Sequence, residues 1–136
     1  MTGTGNLNSD PLFVNVAQGN FRITGSSPVI DQADPYAPLA VDIDGHYRPQ
    51  GRRCDIGAYE YSAPTISGIR IMGTDCILDF TSVPGAYYDL QRTIDLAAQT
   101  WIPAITNIPG AEGSTEVVDT NAARQLRLFY RLRSSL

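Results

Sequence analysis

Asp42, Asp44 and Asp55 fall within DIDGHYRPQGRRCD (42–55), a run dense in potential metal-ligating and acid–base groups. Two carboxylates one residue apart, followed by Gly45, have the opening spacing of a calcium loop. An EF-hand loop, however, takes ligands at five or six positions and closes on a bidentate acid at its twelfth. Counted from Asp42, that position is Arg53, a cation. Asp42, Asp44 and Asp55 therefore form an incomplete calcium set, with structural pairing as the competing use. Glycoside hydrolysis would need two carboxylates held across a cleft at a fixed distance. His46 is the only histidine, so no imidazole triad can hold a metal, and no G-x-S-x-G elbow is present. The glycines lack phosphate-loop spacing and no lysine follows them. No catalytic residue is expected, and His46 reads as an exposed loop residue.

A second group lies near the end of the sequence. In LRLFYRLR (126–133), Leu128, Tyr130 and Leu132 share one phase of a strand, leaving Arg127, Phe129, Arg131 and Arg133 on the other. Tyr87 and Gln91 take the outward phase of AYYDLQRT (86–93). Guanidinium and aromatic groups side by side can stack on sugars or hold acidic ones. Arg127, Phe129, Arg131, Arg133 and Tyr87 are thus candidate carbohydrate-binding residues. The competing use is cover for the seam between two modules by Phe129, with solvated arginines.

These groups must be positioned by β structure. The chain of 136 residues has 43% hydrophobic and 18% charged residues, a globular balance that accommodates one average or two small domains. All ten basic residues are arginine, eleven of the fourteen acids are aspartate, and the net charge is -4. Nucleic-acid binding is not expected, because phosphate neutralisation needs clustered positive charge. No apolar stretch reaches the roughly 18 residues of a membrane span, and no basic-apolar leader follows Met1. Short alternating runs broken by Gly, Pro, Asn and Asp mark an all-β protein.

In the first half, 11–15 and 20–24 read as strands, 25–33 as a helical turn, 34–53 as loop and 54–61 as a strand with Ile56 and Ala58 inward. SAPT (62–65) presets an extended linker, dividing the chain into 1–62 and 63–136. Six strands follow at near-regular spacing, over 65–72, 75–82, 86–93, 100–105, 115–119 and 126–133, with a helical turn near 93–100. The inward set is Ile69, Ile71, Leu78, Phe80, Tyr88, Leu90, Trp101, Val117, Leu128, Tyr130 and Leu132, the pattern of a small antiparallel β-sandwich. Cys54 and Cys76 each alternate in phase with apolar neighbours, as buried thiols do. An inter-module disulfide is the rival reading.

The first module resembles the end of the choice-of-anchor Q domain, a right-handed parallel β-helix of exported bacterial proteins. The ordered matches are Asp10 to Phe13, Phe21 to Thr24, Gly25 to Asp31, Asp42 to Pro49 and Asp55 to Glu60, across about residues 5–62. The second module resembles a fibronectin type III-like C-terminal sandwich through Tyr88, Leu90, Gln91, Thr93, Asp95, Leu96, Trp101 and FYRLR (129–133). The resemblance implies an all-β chain: terminal rungs and cap of a parallel β-helix, followed by a small antiparallel sandwich. It gives the 42–55 aspartates a structural role, pairing with Arg48 and capping turns. It further implies a non-catalytic structural or adhesive part of an extracellular or cell-surface protein, with no cofactor unless calcium. A carbohydrate-binding appendage of a polysaccharide lyase or hydrolase is the alternative. Expected partners are a polysaccharide, upstream β-helix rungs, or further copies of the chain joined through open β edges. Solenoids usually need three or more repeats, and 1–62 can supply about two rungs and a cap. A seven-strand sandwich would lack one strand here.

Overall fold

The computed structural model describes residues 6–35 and 40–135; residue 5 of the first-module match and residues 36–39 of the expected loop lie outside the described residues. The chain divides into two compact units, Met1–Ala63 and Pro64–Leu136. Among the described residues, regular structure is β strand apart from two three-residue 3₁₀ turns.

The first unit holds one antiparallel hairpin, β1 (Phe13–Asn15) and β2 (Asn20–Ile23). Its connection is a 3₁₀ turn, Val16–Gln18, in which the Asn15 side chain accepts from the Gln18 amide. The turn exits through Gly19 at φ 73°, a left-handed conformation that costs glycine little. Phe13 and Phe21 meet edge to face across the hairpin at 5.6 Å. No parallel ladder is present among the described residues of this unit.

The expected strand at 54–61 does not form, and residues 25–33 make turns rather than a helical turn. The backbone of 54–58 bonds instead to three separate segments. Cys54 O accepts from Ala33 N (2.9 Å), Ile56 N donates to Val29 O (3.0 Å), and Ala58 O accepts from Ile43 N (3.0 Å). Gly57 at φ 122° breaks the alternation a strand requires. Ile56 is half-buried and Ala58 exposed, while Asp55 and Glu60 are buried. The interior-facing groups of this segment are carboxylates, so apolar alternation gave the wrong phase.

The second unit is two antiparallel sheets of three strands. The first has the order β3 (Ile66–Met72), β4 (Asp75–Ser82), β7 (Gly113–Asp119). The second has the order β6 (Ile102–Pro109), β5 (Tyr87–Thr93), β8 (Phe129–Ser135). Alternation buries Cys76, Leu78 and Phe80 of β4 against Tyr88 and Leu90 of β5, with Ile108 and Val117 beside them. Phe80 and Tyr88 pack at 5.3 Å between ring centres, and the Tyr88 hydroxyl accepts from Val83 N (3.0 Å). Burying each large side chain here stabilises the fold by about 1.5–3 kcal/mol. Thr93 ends β5, and residues 94–100 form bends and a turn without a helix; the second 3₁₀ turn is Ala122–Arg124.

Three members of the expected inward set are placed differently. Ile69 and Ile71 stand opposite Leu78 and Cys76 and so share their face, yet they are 56% and 69% exposed. Trp101 precedes β6, is half-buried, and stacks with Arg131. Cys54 and Cys76 are both thiols, in different units, and form no disulfide.

Phe80→Ala should lower the urea-unfolding stability of the second unit by about 3–5 kcal/mol, through lost burial and a cavity. The fluorescence of Trp101, the only tryptophan, reports it. Ile71→Ala should stay within about 0.5 kcal/mol of wild type.

Candidate functional site

The 42–60 segment folds around its own charges. Arg48, 5% exposed, donates from Nε to Glu60 Oε1 (2.7 Å), from Nη1 to Gly57 O (3.1 Å) and from Nη2 to Asp55 O (2.5 Å). Glu60 Oε1 also accepts from Asp55 N (2.8 Å), and Oε2 from Gln50 N (3.0 Å). Asp55 Oδ1 accepts from Asp31 N (2.8 Å) and Oδ2 from Tyr61 N (2.6 Å). Asp42 Oδ1 accepts from Asp44 N (2.9 Å) and His46 N (2.8 Å), and Oδ2 from Glu60 N (3.1 Å). Each oxygen of the three buried carboxylates receives at least one donor. The loops of this unit are thereby tied together where strands are absent.

Burial pushes the Asp42 carboxyl up. The Glu60 and His46 amides and the adjacent His46 ring outweigh that effect, and Asp42 sits below its ordinary value of 3.8. For Asp55 burial wins over the Tyr61 and Asp31 amides, with repulsion from Glu60 and Asp31 added, and its carboxyl sits above the ordinary value.

Ligand atoms of Asp42, Asp44 and His46 come within 4.8 Å of one another. Asp55 is not part of that group, its oxygens being turned to the Asp31 and Tyr61 amides. Asp44 is already held by Arg22, through Nε to Oδ2 and Nη2 to Oδ1 at 2.8 Å each, while that guanidinium lies 5.2 Å from the Tyr59 ring. The His46 side chain is half exposed, 3.4 Å from Asp42 Oδ2. The arrangement ties the loops of this unit together.

The outer face of the second sheet is different in kind. Arg131 donates from Nε to Gln91 Oε1 (2.8 Å), and its guanidinium stacks 4.5 Å from the centre of the Trp101 ring. Gln91 and Arg131 are direct cross-strand partners, as are Asp89 and Arg133. Arg127 donates to Ile94 O (3.0 Å) and lies 5.8 Å over Phe129. The structure thus joins Arg131 to Gln91 and Trp101, and Arg127 to Phe129. It does not bring Tyr87 to Phe129: Tyr87 pairs with Ser135 and Phe129 with Thr93, the two ends of β5, about 20 Å apart along a strand. Strand phase over TWIPAI (100–105) places Trp101 inward, but Trp101 precedes β6, where it is half-buried and stacks with the outward Arg131.

Near the Arg127 end, a cleft of about 500 Å³ is lined by Arg92, Ile94, Asp95, Thr100, Ile102 and Leu128, among others. Arg92 donates from Nη1 to both oxygens of Asp119 at 2.7 Å, and the Tyr130 hydroxyl donates to Asp119 Oδ2 (3.0 Å). Burial, with the Cys76 thiol and Asp119 nearby, holds the Tyr130 phenol above its ordinary range.

No protein family, no curated protein and no solved structure matches the chain.

Asp42→Asn turns an amide NH₂ toward backbone N–H donors and should cost about 1–3 kcal/mol at neutral pH. A depressed carboxyl stabilises above its unfolded pKa and loses that effect as pH falls through the folded one. The difference between variant and wild type should therefore hold at pH 7 and shrink as pH falls below 3.8. Hydrogen exchange at the Asp44, His46 and Glu60 amides measures it.

Proposed function

We propose that this chain is a non-catalytic structural and adhesive part of an exported bacterial surface protein, with the outer face of β5 and β8 as its adhesive surface. The observation that carries this reading is Arg131, stacked on Trp101 and oriented by Gln91. An indole and a fixed guanidinium side by side offer an apolar plate for a sugar ring and a cation for a carboxylate. Arg133 lies further along β8, opposite Asp89 of β5, and Arg127 lies two residues before the strand begins; cations outnumber the acid here, so an acidic polysaccharide suits the surface better than a neutral one.

The supporting context is structural. The engaged oxygens of Asp42, Asp55 and Glu60 favour scaffold over hydrolase. Two antiparallel sheets of three strands support a fibronectin type III-like sandwich in the second unit. The first unit is read as the end of a choice-of-anchor Q β-helix on the motifs of its sequence, and an extracellular location rests on the same resemblance. A carbohydrate-binding appendage of a lyase or hydrolase would use the same β5–β8 surface, so both readings share one test of binding.

Affinity electrophoresis in polygalacturonate and in a neutral glucan tests it. Retardation is expected in polygalacturonate and should weaken with salt, since exposed charges are screened beyond about 8 Å at physiological ionic strength. Trp101→Ala and Arg131→Gln should each weaken binding roughly tenfold, equivalent to about 1.4 kcal/mol. Arg52→Gln, in the other unit, should leave it unchanged. Equal migration of wild type and both β8-face variants would sink the polysaccharide reading.

A further inference from the structure

The cleft of about 500 Å³ lies within the second unit, where β5 ends and β6 begins. Its volume falls in the range of roughly 300–1,000 Å³ that small-molecule sites occupy. Strand pairing builds one wall. Arg92 of β5 has Ile102 of β6 directly opposite on one side and Tyr130 of β8 on the other, so the three share one face of the sheet. Leu128, two residues before Tyr130, continues that row. A turn builds the other wall. Thr93 Oγ1 donates to Asp95 O (3.0 Å) and accepts from Asp95 N (3.1 Å), and Asp95 Oδ1 accepts from Ala97 N (2.9 Å). These short-range bonds set the turn locally.

The chemistry of the lining is mixed. Ile94 and Ile102 are 60% and 51% exposed, and Leu128 is half-buried against the core. Arg92 supplies the cation. Its Nη1 is committed to both oxygens of Asp119 at 2.7 Å. A guanidinium carries five N–H donors, and the Nε–Nη2 edge of Arg92 meets no side-chain or backbone acceptor among the described residues. That edge is a planar fork matched to a carboxylate. The same edge of Arg22 holds Asp44, with Nε and Nη2 each at 2.8 Å. The Asp119 side chain is 7% exposed and that of Arg92 29%. The guanidinium thus runs from the interior to the cleft, where a second carboxylate would stay partly hydrated. Asp95 is the one acid of the lining, and its Oδ1 is taken by the Ala97 amide. Arg127, donating to Ile94 O, adds a second cation nearby.

We propose that this cleft binds a small organic acid with an apolar body, its carboxylate on the Nε–Nη2 edge of Arg92 and its body against Ile94, Ile102 and Leu128. Both parts are needed. A carboxylate on a solvated guanidinium gains little by itself, and the apolar body adds the burial of two exposed isoleucines. The fork selects the acid over its neutral amide, because a charge-assisted pair of parallel bonds is stronger than a neutral one. The volume suits a molecule of one or two rings rather than a polymer. Gln91, Trp101 and Arg131, which form the polysaccharide surface, are not among the residues lining the cleft, so either site can fail without the other.

The test titrates the full chain with 3-phenylpropionate, 3-phenylpropionamide and acetate, read by amide chemical shifts in heteronuclear NMR. 3-Phenylpropionate is expected to give saturable shifts centred on Ile94, Thr100, Ile102 and Gln125, with a Kd of about 1 mM or tighter. The amide and acetate should each bind at least roughly tenfold more weakly. Arg92→Lys keeps a cation for Asp119 but removes the fork, and should weaken binding by roughly tenfold. Ile94→Glu, at an exposed position outside the core, places a carboxylate in the cleft and should abolish binding while the amide shifts of β4 stay unchanged. The site is overturned if 3-phenylpropionate gives no saturable shift, if its shifts lie away from these residues, or if Ile94→Glu binds as wild type does. Equal binding of the amide overturns the acid, and equal binding of acetate overturns the apolar body.

Discussion

The first unit depends on one buried ion pair, Arg48 with Glu60. A guanidinium and a carboxylate taken from water are stabilising only when their remaining donors and acceptors are also met. Here they are: the guanidinium reaches Gly57 O and Asp55 O, and the carboxylate collects the Asp55 and Gln50 amides. That requirement shapes the chain around it. Buried apolar side chains are few in this unit, Ile23 and Val29 among the described residues, so the polar network replaces the core that a larger unit would build. Asp42 and Asp55 repeat the device, each closing loops whose amides have no strand partner. Carboxylates recruited for this work have their lone pairs already engaged by backbone amides.

The second unit solves the same problem mainly by strand pairing and apolar burial, with its ion pairs added to that core rather than replacing it. One strand divides two tasks by direction. The inward row of β8 (Tyr130, Leu132) joins the core, and its outward row (Phe129, Arg131, Arg133) forms a charged and aromatic surface. Glu116 and Asp79 neutralise Arg70 on the outer face of the first sheet. On the second sheet, the cation at Arg131 is held by an amide and an aromatic ring.

Alternation made the second unit legible. Leu78, Phe80, Tyr88, Leu90 and Val117 are buried where period-two patterning placed them, and β4 spans the residues 75–82 that the pattern marks. The errors have physical causes. Ile69 and Ile71 face inward by register, but their exposure depends on what lies across the sandwich, which local patterning does not encode. Trp101 lies outside β6, where strand phase no longer governs direction. In the first unit the apolar pattern failed at 54–61 because the buried residues are Asp55 and Glu60, spaced for ion pairing and turn capping rather than for a pleat. The outward row of β8 could be read from phase alone; its link to Trp101 and Gln91 required the fold.

Asp119 joins the two sheets. It is buried at the end of β7 and takes two contacts from Arg92 and one from Tyr130. A buried carboxylate is stabilising only when its acceptors are met, so these contacts hold β5 and β8 of the second sheet to the end of β7 in the first.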